Sequence, residues 1–310
     1  MSPRAAVQAR LRELAGGLLR GRRVDVFLGF RKSGIPFRAR PVAFHDAEDT
    51  ESLVWNSFCS HSLAAYLRDW FPVGGAAGAA ATVRVGLAVK PCDARAALRL
   101  VAEGVVPRDG LFLIGIRCSG MLDRRRAEAA LGRREALGAG ENDGGDIRVV
   151  VDDGSEVTLP RSPLLHRVCR ECREREPQGC EVVLDGADGP VDEAPAGRGP
   201  AAALSEEEVR RRVAAELARC LGCGACRSVC PLFDEEAWTG CGPVEDRAGL
   251  HAERFHHLAG RCTSCGACDR ACPAGVDTLF LVRPTPAGRC PVEPAAGRNG
   301  APSAPGGPSP

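Results

Sequence analysis

The 310-residue chain has only two lysines (Lys32 and Lys90), two methionines and one tyrosine. Its basic charge is therefore almost all arginine, and 41 Lys and Arg against 40 Asp and Glu leave a formal net charge of +1. That balance lacks the basic face of a nucleic-acid binder and implies no polyanion partner. No apolar run approaches the roughly 20 residues needed to cross a bilayer, so direct membrane insertion is not expected. Residues 1–23 lack the apolar core of a signal peptide and read as an amphipathic helix with Leu11, Leu14 and Leu18 on one stripe. No G-x-G-x-x-G follows a strand and no phosphate-loop motif occurs, so neither nicotinamide nor nucleoside-triphosphate binding is indicated. No Ser/His/Asp or paired-carboxylate set points to hydrolysis.

Against these absences stand 16 cysteines. With no export signal the expected location is cytoplasmic, where thiols stay reduced; disulfides drop out and metal becomes the default. Eight of the cysteines fall into two runs of one pattern, C-x2-C-x2-C-x3-C-P, from Cys220 to Pro231 and from Cys262 to Pro273. Three closely spaced thiolates wrap three corners of a [4Fe–4S] cube, and the fourth, turned away by its proline, ligates the other cube. Cluster I is then expected on Cys220, Cys223, Cys226 and Cys272, and cluster II on Cys262, Cys265, Cys268 and Cys230. Gly222, Gly224 and Gly266 allow the backbone to approach sulfur and aim N–H groups at it. Zinc is the alternative, but a tetrahedral site wants two C-x2-C pairs and has no use for the third cysteine or the Cys-Pro ending. His251, His256 and His257 read as surface or packing residues, and Cys241 and Cys290 as spare thiols.

The first part of the chain reads as α/β with a mainly parallel sheet. Strands are expected at 24–30, 35–44, 83–89 and 111–116, a hairpin at 147–159 turning at Asp153-Gly154, and helices at 56–70, 94–103 and 121–137. Asp93 is expected to cap the helix from 94. Cys92 and Cys118 stand just past two apolar strands, so both belong at the carboxyl edge of the sheet, where ligands bind. With the C-x2-C pair Cys169 and Cys172 they make a candidate third [4Fe–4S] site; buried structural cysteine or zinc are the alternatives. Cys59 and Cys180 are possible substitutes.

The residues KPCD (90–93) and IRCSGM (116–121), together with the doubled cysteine run, resemble the beta subunit of coenzyme F-420-dependent hydrogenases and formate dehydrogenases. The likeness runs over about 55–172 and on into the cysteine-rich part. It implies an iron–sulfur site beside a flavin, hence FAD, and a place among the subunits of a larger redox complex. The chain departs from that family in having no ferredoxin module ahead of the α/β part and no flavin fingerprint.

The expected layout is an α/β redox domain at 1–185, a flexible Pro/Gly/Ala-rich linker at 186–204, a small, mostly helical dicluster ferredoxin-like domain at 205–283, and a disordered tail at 284–310. Ser205 with Glu208 reads as a capping box opening a helix to about 219, and another helix is expected at 252–260. The function expected is that of an electron-transfer subunit of a formate dehydrogenase-, hydrogenase- or heterodisulfide-reductase-type complex. A zinc scaffold without redox chemistry, or a flavin-dependent catalytic subunit acting on a deazaflavin, are the other readings.

Overall fold

The computed structural model describes residues 3–71, 83–142, 144–186, 204–233, 246–285 and 288–292. In chain order its elements are α1 (Pro3–Arg20), β1 (Val26–Lys32), β2 (Ala39–Phe44), α2 (Leu67–Trp70), β3 (Val85–Val89), α3 (Pro91–Ala102), β4 (Leu111–Ile116), α4 (Arg124–Leu131), β5 (Ala136–Glu141), β6 (Ile147–Val151), β7 (Glu156–Leu159), α5 (Arg161–Leu164), α6 (Arg167–Arg170) and β8 (Val182–Leu184). There follow α7 (Glu206–Arg219), α8 (Ala225–Ser228), α9 (Arg247–Leu258), α10 (Ala267–Ala271) and a 3-10 turn at Phe280–Val282.

Five strands form a mixed sheet in the order β2-β1-β3-β4-β8. β1, β3, β4 and β8 run parallel, and β2 pairs antiparallel on the outer edge of β1. β3 is buried at all five residues, as a parallel strand covered on both faces must be. Gly86 is required in it because a Cβ there would stand 2.6 Å from the Phe27 ring, itself fully buried. The register pairs Val89 of β3 with Gly115 of β4, so both strands end side by side and deliver Lys90–Cys92 and Arg117–Cys118 to one edge. A second sheet, β5-β6-β7, is antiparallel, with Ile147, Val149 and Val151 inward and Arg148 and Val150 outward. Its hairpin turns at Asp153-Gly154, where Gly154 has φ +81°.

Three helical expectations are corrected. Over 56–70 only the last turns, from Leu63, are helical. Upstream, the Asn56 side chain takes the Phe58 N–H, and the buried Lys90 ammonium takes the carbonyls of Cys59 and His61, drawing the backbone out of helical pairing. The helix expected at 121–137 ends at Gly132 (φ +66°), and Ala136–Glu141 becomes β5, because β6 offers it an antiparallel partner that outweighs local propensity. Asp93 is not a cap: α3 starts at Pro91, and the Asp93 carboxylate is buried against Lys90 Nζ at 2.7 Å.

The Ser205 capping box forms with both of its bonds and opens α7. Among the described residues, 204–285 hold four α-helices and no strand. This part packs directly on the α/β part: Cys226, Cys268, Leu232, Leu258, Leu279 and Val282 join the main core. Polar bonds fasten the same face. Arg261 of one part grips Glu103 of the other at 2.7 and 2.8 Å, Arg270 Nε donates to Ser60 O at 2.7 Å, and Arg167 bonds Asp269 and Asp277. Of the expected linker, 187–203 lie outside the described residues, as do 286–287 and 293–310 of the expected tail. Val292 is buried beside Val209, Val213 and Leu281, so packing continues past Arg283. No helix among the described residues is long and apolar enough to cross a membrane.

Candidate metal centres

All 15 described cysteines are free thiols. In the two runs the backbone repeats. Gly224 and Gly266, both at φ +72°, begin the short helices α8 and α10, which raise Cys226 and Cys268 into buried positions. Gly222 (φ +67°) in the first run corresponds to Ser264 (φ +53°) in the second; each adopts the left-handed conformation between the first two cysteines. Helices α8 and α10 pack on each other, which brings the two runs face to face.

The thiols of the two runs lie in reach of one another. Burial pushes the Cys226 thiol up to about 11, and the nearby Cys268, Cys220 and Cys272 push it further while Arg254 opposes. Cys220 and Cys272 also share one buried cluster. Burial likewise raises Cys230 to about 11, with Cys268 and Cys262 in reach. So thiols of the two runs interleave: Cys272 of the second run lies in reach of Cys226 and clusters with Cys220, Cys230 of the first lies in reach of Cys262 and Cys268, and Cys226 and Cys268 face each other. Cys265 is raised by burial and lies near Cys268 on one side and Cys92 on the other. Cys223 is exposed. His251, set aside on sequence grounds, is fully buried and holds Nε2 3.5 Å from Cys220 Sγ. Arg254 Nη1 donates to His251 Nδ1 at 3.2 Å, so the ring proton sits on Nε2 and points at sulfur. Burial and Arg254 hold this imidazole neutral, with its pKa lowered to about 3.

At the sheet edge, burial raises Cys118 strongly, with Cys169 and Cys92 adding to it. Burial and Asp93 raise Cys92 to about 11, while Arg270 and Lys90 oppose. Cys92 lies in the first turn of α3, Cys118 just past β4, and Cys169 on α6, so thiols from three segments come within electrostatic reach of one another. Gly120 N donates to Cys118 Sγ at 3.3 Å. Cys172 is not gathered as closely: its thiol turns onto Glu174 O at 3.2 Å. The two substitutes stand apart. Cys59 is core, its thiol near Val54 O and its pKa pushed by burial to about 12, and Cys180 faces Gln178 O. Lys90 lies under the edge, its ammonium over the rings of Phe30 and Trp55.

The donor set can be matched to a metal group on its chemistry. The gathered donors are thiols, and the one carboxylate beside them, Asp93 next to Cys92, is engaged by Lys90. A zinc ion draws its thiolates to about 2.3 Å from one point, whereas a four-iron cube fills a volume and is gripped by thiols set around it. Arg254 and Arg270 each keep a buried Nη2 without a hydrogen-bond partner beside these thiols. Buried cations facing buried thiols are what an anionic thiolate cluster requires. The residues fit iron–sulfur clusters. Neither arginine belongs to the cysteine spacing, and no local motif marks them; a basic residue three positions from His251 and two from Cys268 is the only signal the sequence carries.

Residues 216–276 match the model of the 4Fe-4S dicluster domain. No curated protein matches the sequence. A chain of the F420-reducing [NiFe] hydrogenase complex from Methanosarcina barkeri aligns at 14% identity and a TM-score of 0.42, covering 56% of this chain and 64% of that one. Residues 216–276 therefore form a ferredoxin-type 4Fe-4S dicluster segment on a mixed, largely parallel α/β body.

Proposed function

We propose that this chain is an electron-transfer subunit of a multisubunit redox complex, holding two [4Fe–4S] clusters at its dicluster segment and a third at the sheet edge. The observation that supports the reading is the mixing of the two runs: Cys226 lies in reach of Cys268, Cys220 and Cys272, and Cys230 in reach of Cys268 and Cys262. An exchange of fourth thiols, Cys272 to the first set and Cys230 to the second, is the arrangement the doubled motif requires for two cubes. Cys223 and Cys265 complete the two sets by position. When bound, such clusters supply one-electron oxidation and reduction.

The chain's own residues do the rest. Thiols whose pKa burial holds high ionise only against a positive group, so the clusters' iron and the cations Arg254, Arg270 and Lys90 act together to keep them as thiolates. The His251 Nε2–H and the Gly120 and Gly222 N–H groups are directed at the sulfurs of Cys220 and Cys118, where they stabilise negative charge. The four short helices make the mostly helical ferredoxin type our reading of this segment. At the sheet edge Cys92, Cys118 and Cys169 supply three ligands, and Cys172, one turn beyond Cys169, the fourth. The F-420 hydrogenase/formate dehydrogenase beta-subunit resemblance of KPCD and IRCSGM agrees with this use of the edge and with partner subunits as donor and acceptor.

Anaerobic purification with iron and acid-labile sulfide counting tests the proposal. About eight irons per chain are expected for two clusters and about twelve for three, with low-temperature EPR signals appearing on dithionite reduction. Zinc in place of iron overturns it. A flavin assay on the same sample reports on the FAD that the resemblance implies.

A further inference from the structure

Helix α9 carries a charge that ligation of iron does not explain. Arg254 is 2% exposed, and no carboxylate among the described residues pairs with it. One arm of the guanidinium, Nη1, is used on His251 Nδ1; the other, Nη2, is buried without a hydrogen-bond partner. A guanidinium never loses its proton in a protein, and burying it with no carboxylate beside it is among the costliest things a fold can do. What faces it are thiols from both runs: Cys268, Cys226 and the exchanged Cys230. Cys226 belongs to the first run with Cys230, and Cys268 to the second. The cation is therefore in reach of thiols from both runs. Its counter-charge arrives only when the cysteines become cluster thiolates. His251 acts differently: it is neutral, and its Nε2 is directed at the Cys220 sulfur.

We propose that Arg254 is a positioning residue for charge, a counter-cation shared by the two clusters that sets both of their reduction potentials. The inference rests on the reading of these thiols as two [4Fe–4S] sites. Each reduction adds one electron, taken from dithionite in the test below, and neither adds nor removes a proton at Arg254. A fixed cation in reach of both sites favours the extra electron on either, and it offsets the repulsion between two electrons held at once.

Arg254→Gln and Arg254→Lys in the full chain test this by iron and sulfide counting and by EPR-monitored redox titration. Arg254→Gln should keep the wild-type iron count, while the ratio of reduced to oxidised centre at a fixed potential falls about tenfold at both dicluster sites. Tenfold corresponds to about 59 mV for one electron. Arg254→Lys keeps the charge and should stay within about threefold of wild type. Potentials unmoved in an iron-replete Gln variant overturn the proposal, as does a shift at one site only. So does a Lys variant shifted as far as the Gln variant, since shape and not charge would then be at work. Should Arg254→Gln fail to take up iron, a Lys variant with full iron and wild-type potentials upholds the role, and a Lys variant that also loses iron overturns it. A wild-type protein with no iron at all defeats the cluster reading itself, which the count reveals before any titration.

Discussion

The dicluster segment and the sheet edge both bury thiols beside an arginine whose Nη2 has no hydrogen-bond partner, yet they assemble by opposite routes. In the segment, local backbone does the work: left-handed residues and two short helices present the thiols of each run within a dozen residues. At the edge nothing local suffices. Cys92 and Cys118 are 26 positions apart and become neighbours only because Val89 pairs with Gly115. The lesson is that the first site depends on turn chemistry and the second on strand register, so different substitutions should break them.

The sharpest way to separate the two is to remove one ligand from each. Cys226→Ser should cost about four irons per chain while the Cys262/Cys265/Cys268 set keeps its own; iron counting with EPR checks this, and loss of neither signal would remove the ligand assignment. Cys118→Ser should also cost about four irons, all from the edge site, and an unchanged count would return Cys118 to the core. Next in size is Lys90→Met, which strands Asp93 and the carbonyls of Cys59 and His61 beneath the edge. A loss of about 3–5 kcal/mol in denaturant unfolding is expected, with the edge site more affected than the segment.

The contact between the two regions has an acid-sensitive part. Burial pushes the Glu103 carboxyl up, but bonds from Arg261 and Arg99 outweigh it and hold its pKa below the ordinary 4.5. A lowered carboxylate contributes stability that is present above 4.5 and lost as pH falls through the folded value, so the contact should weaken as the pH is taken below 4.5. Glu103→Gln should remove this dependence at a cost under about 1 kcal/mol, since the pair is partly exposed, as pH-dependent hydrogen exchange at Arg261 would report. Smallest is Ser264→Gly. It relieves a left-handed residue that the first run already fills with Gly222, and should raise thermal stability by roughly 1 kcal/mol without changing iron content.

How much of this was legible in advance follows the same division. The doubled run, its glycines and the Ser205 cap are short-range signals, and the pairs Cys220/Cys226 and Cys262/Cys268 follow from spacing alone. The strands of the parallel sheet were legible as apolar runs, and with them the edge that holds Cys92 and Cys118. What escaped was whatever depends on a distant partner. Ala136–Glu141 is helical by composition and extended because β6 lies alongside it. Asp93 reads as a cap and is instead the counter-ion of Lys90. His251 and Arg254 lie outside the cysteine runs and reach the thiols only because α9 packs against them.

The bonds of Arg261, Arg270 and Arg167 across the contact, with Arg125 on the carbonyls of Cys272 and Pro273, bolt the segment to the α/β part through its second cysteine run. A carrier on a swinging tether works at a pace governed by its diffusion and slows in glycerol. One bolted in place has a gap of constant width, so traffic between the sheet edge and the segment should be indifferent to solvent viscosity.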